Sequence, residues 1–142
     1  MAKITAAELD EIVAAGIPWA TDLGLRVEAI GEGTCRVRLP FGPRKVRPGG
    51  TVAGPMLVAL ASYAAYVAVL SVAGRVELAA VVSQTANFFK GTAGDVIAEA
   101  RVLNRGKRLV ATETRLSAAE GTLLAQVTAT YALPAPGGAR RQ

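Results

Sequence analysis

The sequence predicts an α+β domain in which a curved antiparallel sheet of five to six strands wraps around one long helix. Two observations carry that expectation. Pro55–Ala73 holds nineteen residues and no charge, which fits a helix that is apolar on every side and must be covered all round. The segments flanking it alternate apolar and polar residues, or are nearly continuously apolar, between short turn-rich breaks; such runs read as strands. Composition then limits the chemistry: of 142 residues none is histidine and one, Cys35, is cysteine. A chain of this length forms one domain and buries roughly 70% of its unfolded surface.

Along the chain, Thr5–Ala15 reads as a short amphipathic helix. Thr5 is its N-cap, Glu8 three residues on completes a capping box, and Gly16 and Pro18 end it. Ile17–Gly33 is broken by glycines into turns and a short strand. Thr34–Pro40 alternates, with Cys35, Val37 and Leu39 facing one way and Arg36 and Arg38 the other. After the uncharged segment, Ala79–Phe89 is nearly continuously apolar and suits a central strand. Val96–Leu103 sets Glu99 and Arg101 on one face. Arg108–Ser117 sets Val110, Thr112, Thr114 and Leu116 opposite Glu113 and Arg115. Thr122–Leu133 sets Leu123, Ala125, Val127, Ala129, Tyr131 and Leu133 on one face. The breaks "GTAGD", "NRGK" and "AAEG" are short, so these strands are expected to be neighbours joined by hairpins. Residues 135–142 have the composition of a disordered tail.

By length alone the uncharged segment could span a membrane. Six of its residues are alanine and two are serine, which is mild for a span, and the strands around it need an apolar partner. A buried core helix is the expectation. Gly54 stands where an N-cap would be, Pro55 at the first helical position, and Gly74 at the C-cap. The preceding loop lacks the Gly-Lys-Ser/Thr of a nucleotide loop. It leaves free backbone N–H groups at a glycine-lined helix start, which stabilise a bound anion or a developing oxyanion.

The absence of histidine excludes Ser-His-Asp and Cys-His catalysis and imidazole metal sites, and one cysteine excludes a disulfide within the chain; no metal site is expected. The net charge of +5 would suit nucleic acid, an anionic membrane or a phosphorylated small molecule. With three Phe, three Tyr and one Trp and no basic–aromatic interleaving, the small molecule is favoured over nucleic acid. Glu8, Asp10 and Glu11 interrupt what would be the apolar core of a secretory signal, so a cytoplasmic location is expected.

The order of "LGLRVEAIGEGTCRVRLP", "RPGGTVAGPMLVALAS", "NFFKGTAGDVIAEARVLNRGKRLVATETRL" and "LLAQVTATYAL" resembles the phenylacetate-degradation type of hotdog-fold acyl-CoA thioesterase, over about Pro18–Leu133. The resemblance implies a hotdog domain at 17–134 preceded by an N-terminal helix at 1–16. The family motif is an Asn, a His-Gly-Gly six residues on at the helix start, and a Leu-Ala-Asp further along the helix. Its acid acts as base or nucleophile across a dimer interface from the Gly amide. In this chain Arg47 stands at the Asn place, Ala53 at the His place with Gly54 after it, and Leu60-Ala61-Ser62 on Leu-Ala-Asp. Gly54 is retained as an oxyanion donor. Residues 33–76 contain no Asp or Glu, so no general base lies on the helix or its loop; Asp22 or Glu77 could supply one from elsewhere in an assembly. The resemblance also places the "NRGKR" turn, Arg105, Gly106, Lys107 and Arg108, near the pantetheine and phosphates of coenzyme A.

Catalysis is thus expected from Gly54, Ser62 and Arg47, with Gly50, Ala53, Thr85, Asn87 and Phe88 and the Arg105–Arg108 turn binding substrate. Each has a plainer role beside it: Ser62 bonding back to the carbonyl one turn earlier, Gly49 and Gly50 turning a loop, Thr85, Asn87 and Phe88 as ordinary core and rim, and Cys35 as a small core residue. The expected function is hydrolysis of a small or medium acyl- or aryl-CoA thioester without a cofactor, the coenzyme A ester being the substrate. The alternative is a non-catalytic acyl-CoA binder; a dehydratase-like reading lacks its histidine. A single unit would leave a sheet edge open, so a homodimer or a dimer-of-dimers tetramer is expected, with neither nucleic acid nor membrane as partner.

Overall fold

A computed structural model describes residues 1–135 of the chain. Its elements are α1 (Ala6–Gly16), α2 (Pro18–Asp22), β1 (Arg26–Gly31), β2 (Thr34–Leu39), a 3-10 turn (Pro43–Lys45), α3 (Gly54–Ala73), β3 (Ala80–Phe88), β4 (Val96–Arg105), β5 (Leu109–Ala118) and β6 (Leu123–Ala132). The strands form one antiparallel sheet in the order β1-β2-β4-β5-β6-β3, and α3 touches all six. This is the α+β hotdog arrangement. The tail expected at 135–142 lies, apart from Ala135, outside the described residues.

α3 is the buried core helix. Leu57, Leu60, Ala64, Val67 and Leu70 meet Val37, Leu39, Val96, Leu116 and Ala125 in one core. Its alanines let the sheet approach closely, and the alternating strands supply the larger side chains. Cys35, Val37 and Leu39 of β2 and Val110, Thr112, Thr114 and Leu116 of β5 face inward as their alternation predicts. α1 has the expected capping box: the Glu8 N–H donates to Thr5 Oγ1 (3.1 Å) and the Thr5 N–H to Glu8 Oε1 (3.0 Å). Leu9 and Ile12 carry α1 into the same core. Between α1 and β1 the chain makes a short helix, α2, opened by Pro18, where the sequence suggested only turns.

Two expectations about the sheet are corrected. β3 is not central but an edge strand, bonded to β6 alone. Its residues are exposed on both faces except Ala86, which is half-buried. Ser83, Gln84, Thr85 and Asn87 interrupt its apolar residues, and Val81, Val82 and Phe88 are left exposed in the single chain. Nor does "GTAGD" close a hairpin. β4 pairs with β2 and β5, so Phe89–Asp95 crosses from one edge of the sheet to its other half, passing the start of α3. "NRGK" and "AAEG" do close the expected β4–β5 and β5–β6 hairpins.

Within α3, Ser71 rather than Ser62 bonds back along the helix, donating to Ala68 O (2.6 Å) while accepting from the Gly33 N–H (2.8 Å). Ser71 is fully buried, so its hydroxyl ties the β1–β2 turn to the helix. Ser71→Ala would strand the Gly33 N–H. The expected cost is about 1–3 kcal/mol, read as a lower midpoint in urea or thermal unfolding.

Candidate active site

The start of α3 is built by the loop before it. Arg47-Pro48-Gly49-Gly50 makes a tight turn in which the Gly50 N–H donates to Arg47 O (2.9 Å), and the Arg47 N–H reaches Thr51 O (2.8 Å). Gly49 takes φ +103°, as the third position of a proline-led turn of this kind requires. A bridge between Val46 and Val52 closes the loop. The Val52 N–H donates to Thr92 O on the crossover (2.9 Å), and the Ala53 N–H to Lys45 O (2.9 Å).

The helix begins one residue earlier than its sequence suggests. Ala53 is the N-cap, extended at φ −69° and ψ 144°, and its carbonyl accepts from the Met56 (2.9 Å) and Leu57 (3.2 Å) amides. Gly54 is therefore the first helical residue and Pro55 the second. Among the described residues nothing accepts the Gly54 N–H. It lies at the positive end of α3, one of the orphan donors of the first turn. Gly74 ends the helix as expected, its N–H donating to Leu70 O (2.8 Å).

Gly54 lines a cleft of about 520 Å³ together with Arg47, Thr51, Val52, Leu57, Phe88, Phe89, Lys90 and Gly91. The structure thus brings Arg47, Gly54 and Phe88 together. The Phe88 ring lies 3.7 Å from where a Gly54 side chain would begin. Lys90 was not singled out from the sequence. It reaches the cleft because "GTAGD" belongs to a crossover, and that pairing is invisible to local pattern.

Ser62 lies eight residues along α3 from Gly54, about 12 Å along the axis at ~1.5 Å per residue, and does not line the cleft. It occupies a half-buried stripe with Val58 and Tyr66. Its hydroxyl accepts from Gln84 Nε2 of β3 (2.9 Å), and its carbonyl from the Tyr131 hydroxyl of β6 (2.9 Å). Gln84 was also missed by sequence reading.

The remaining candidates fall elsewhere. Gly50 serves the turn and is exposed, and Ala53 caps the helix. Register on β3 shifts between Val81 and Ser83, a bulge that changes which residues face α3. Gln84, Ala86 and Phe88 face the helix, whereas Thr85 and Asn87 lie on the outer face, where Asn87 Nδ2 reaches Gln126 Oε1 (3.4 Å). Arg105–Arg108 lie at the far end of the sheet: Leu109 pairs with Ala132, and Ala132 with Ala80, whereas Phe88 marks the cleft end. Eight residues of strand at ~3.3 Å each separate these ends by roughly 26 Å. Gly106 is held in its turn by its N–H to Leu109 O (2.8 Å), and Arg108 Nε donates to Leu133 O (3.1 Å).

Among the described residues no carboxylate lines the cleft. Asp95 lies below its usual pKa because the Phe41 N–H and then Arg38 bind it; Arg38 and Arg36 lower Glu28, and Gln126 and Arg101 lower Glu113. Glu77 is paired with Arg75 (2.9 Å), and Asp22 lines a separate cleft with Arg44 and Lys45. Burial pushes the Cys35 thiol up to about 12, so it carries no thiolate at neutral pH. Among the described residues no three His, Cys, Asp or Glu side chains cluster as metal ligands would. What converges at the start of α3 is a free amide, two cations and two phenylalanine rings.

The sequence profile of the thioesterase superfamily matches residues 49–125, more than half of the chain, from the glycine turn to β6. Among solved structures, a protein of Silicibacter sp. TM1040 described as a candidate thioesterase is 29% identical, with a TM-score of 0.82 and 95% of each chain covered. A mutant of the phenylacetic acid degradation protein PaaI of Thermus thermophilus is 26% identical, with a TM-score of 0.75, covering 82% of this chain and 98% of that one. A thioesterase of Haemophilus influenzae is 21% identical with a TM-score of 0.81 over 92% of each chain, a likeness of fold alone. No curated protein matches the chain.

Proposed function

Because this chain belongs to the thioesterase superfamily, we propose that it hydrolyses a small or medium acyl- or aryl-CoA thioester by direct attack of water. The observation that carries this reading is that Gly54, whose N–H has no acceptor among the described residues, lines a cleft with Arg47 and Lys90. As the carbonyl becomes tetrahedral, its oxygen gains charge beside that amide and the positive end of α3. Arg47 orients substrate beside Gly54; Ser62, about 12 Å further along the helix, would reach water or the thioester bound in the cleft of a second copy, as the resemblance implies, and no cofactor takes part. The phenylalanine rings and Leu57 offer the acyl group an apolar wall. A cytoplasmic location suits such a substrate.

The uncovered edge of β3 and the half-buried stripe on α3 support a homodimer, or a dimer-of-dimers tetramer, as the working form. Antiparallel pairing of two β3 edges would set the far end of one sheet beside the cleft end of the other. The partner's Arg105–Arg108 turn would then stand near this chain's Gly54, placed to contact the phosphates of coenzyme A. Sedimentation is expected to give a dimer or tetramer. Val82→Lys, which puts a charge on the exposed edge, is expected to shift it toward monomer with loss of turnover; a wild-type monomer would sink the interface site.

A non-catalytic acyl-CoA binder is the second reading, favoured by the absence of a carboxylate from the cleft. The two separate on release of free thiol from a panel of aryl- and fatty-acyl-CoA esters. Turnover above the uncatalysed rate is expected; tight binding with no thiol released would leave the binder. Dehydratase-like chemistry has no histidine to use.

A further inference from the structure

The two serines of α3 are used differently. Ser71 bonds back to Ala68 O, as a serine in a packed helix commonly does. Ser62 has its oxygen taken by Gln84 Nε2 (2.9 Å) and its carbonyl by Tyr131 (2.9 Å), so residues of two strands fix one helical residue. A serine oxygen has two lone pairs and one proton. The Gln84 amide occupies one lone pair and draws charge from the oxygen, which makes Ser62 a weaker base and its O–H a stronger donor. Gln84 stands on the edge strand and is exposed, and Ser62 is only half-buried, so the pair borders the surface that a second copy would cover.

We propose that Gln84 is a positioning residue: it holds Ser62 so that the hydroxyl proton, not a lone pair, is presented to a thioester bound in the cleft of a second copy seated on this surface. Ser62 then stabilises developing negative charge as a hydrogen-bond donor. It takes no proton from water and forms no acyl-enzyme. This rests on the thioesterase reading.

The test compares Gln84→Met, which keeps the length and removes the donor, with Gln84→Glu, Ser62→Ala and the double variant Ser62→Ala/Gln84→Met. Two readouts are taken: hydrolysis of the acyl-CoA panel, and affinity for a trifluoromethyl ketone derivative of coenzyme A, whose carbonyl takes up water to a tetrahedral hydrate resembling the intermediate. Gln84→Met and Ser62→Ala are each expected to lower kcat about tenfold, the scale of one hydrogen bond, with KM little changed. The double variant should lose no more than either single one. A Gln84→Glu carboxylate would accept the Ser62 proton and turn it from the substrate, so that variant's activity relative to wild type should fall as pH rises through the carboxyl titration. Additive losses, wild-type kcat in Gln84→Met, or a Gln84→Glu variant whose relative activity rises with pH would overturn the proposal. If wild type hydrolyses none of the esters, the thioesterase reading fails by itself. Ketone affinity then decides on Gln84: a non-additive loss in Ser62→Ala and Gln84→Met supports it, and unchanged affinity overturns it.

Discussion

Replacing Gly54 by proline is expected to lower kcat by roughly 10²–10³-fold, the usual consequence of removing one oxyanion donor, with a smaller change in KM. The substitution deletes the backbone N–H that no other group in the described chain accepts. A proline is tolerated in the first helical turn, where its missing donor breaks no helical bond. Ala53 already has the extended backbone that precedes proline readily. Gly54→Ala is the control. It keeps the amide, and its added carbon would lie 3.7 Å from the Phe88 ring, an ordinary contact. Alanine should therefore stay within several-fold of wild type. Steady-state kinetics of both variants, with thermal midpoints to show that each is folded, make the comparison. Equal losses would mean that space or backbone strain at position 54 matters and the amide does not.

Ser62→Asp is expected to raise turnover, by up to about 10²–10⁴-fold, the range a well-placed general base contributes. Position 62 is prepared for a carboxylate. Gln84 Nε2 already donates to the side chain there and would donate equally to Asp. Residues 33–76 hold no other acid to repel its charge, and the stripe it occupies is only half-buried. A base at this site gives a recognisable pH signature: kcat/KM should rise with pH through the titration of the new carboxyl, from the ordinary Asp value near ~3.9, an acid limb that wild type lacks. Base catalysis gained in this way would outweigh the donor lost with Ser62. No gain at any pH would mean that position 62 does not reach the reacting carbonyl.

The two predictions draw differently on sequence and structure. Local pattern determined the buried helix, its glycine stop, the capping box of α1, the inward faces of β2 and β5, and the lack of a general base from 33 to 76. These follow from periodicity, end signals and residue identity, which act over a few residues. Only the tertiary structure decided that β3 lies at an edge, because strand order is set by pairing with β6, whose partners lie 37 to 52 residues away. The same long-range choice turned "GTAGD" into a crossover and so brought Lys90 and Gly91 against the start of α3. The bulge between Val81 and Ser83 decided that Gln84, and not Thr85, meets Ser62. A one-residue shift reverses every later side chain on a strand, and nothing in the alternation of β3 itself marks where that shift falls.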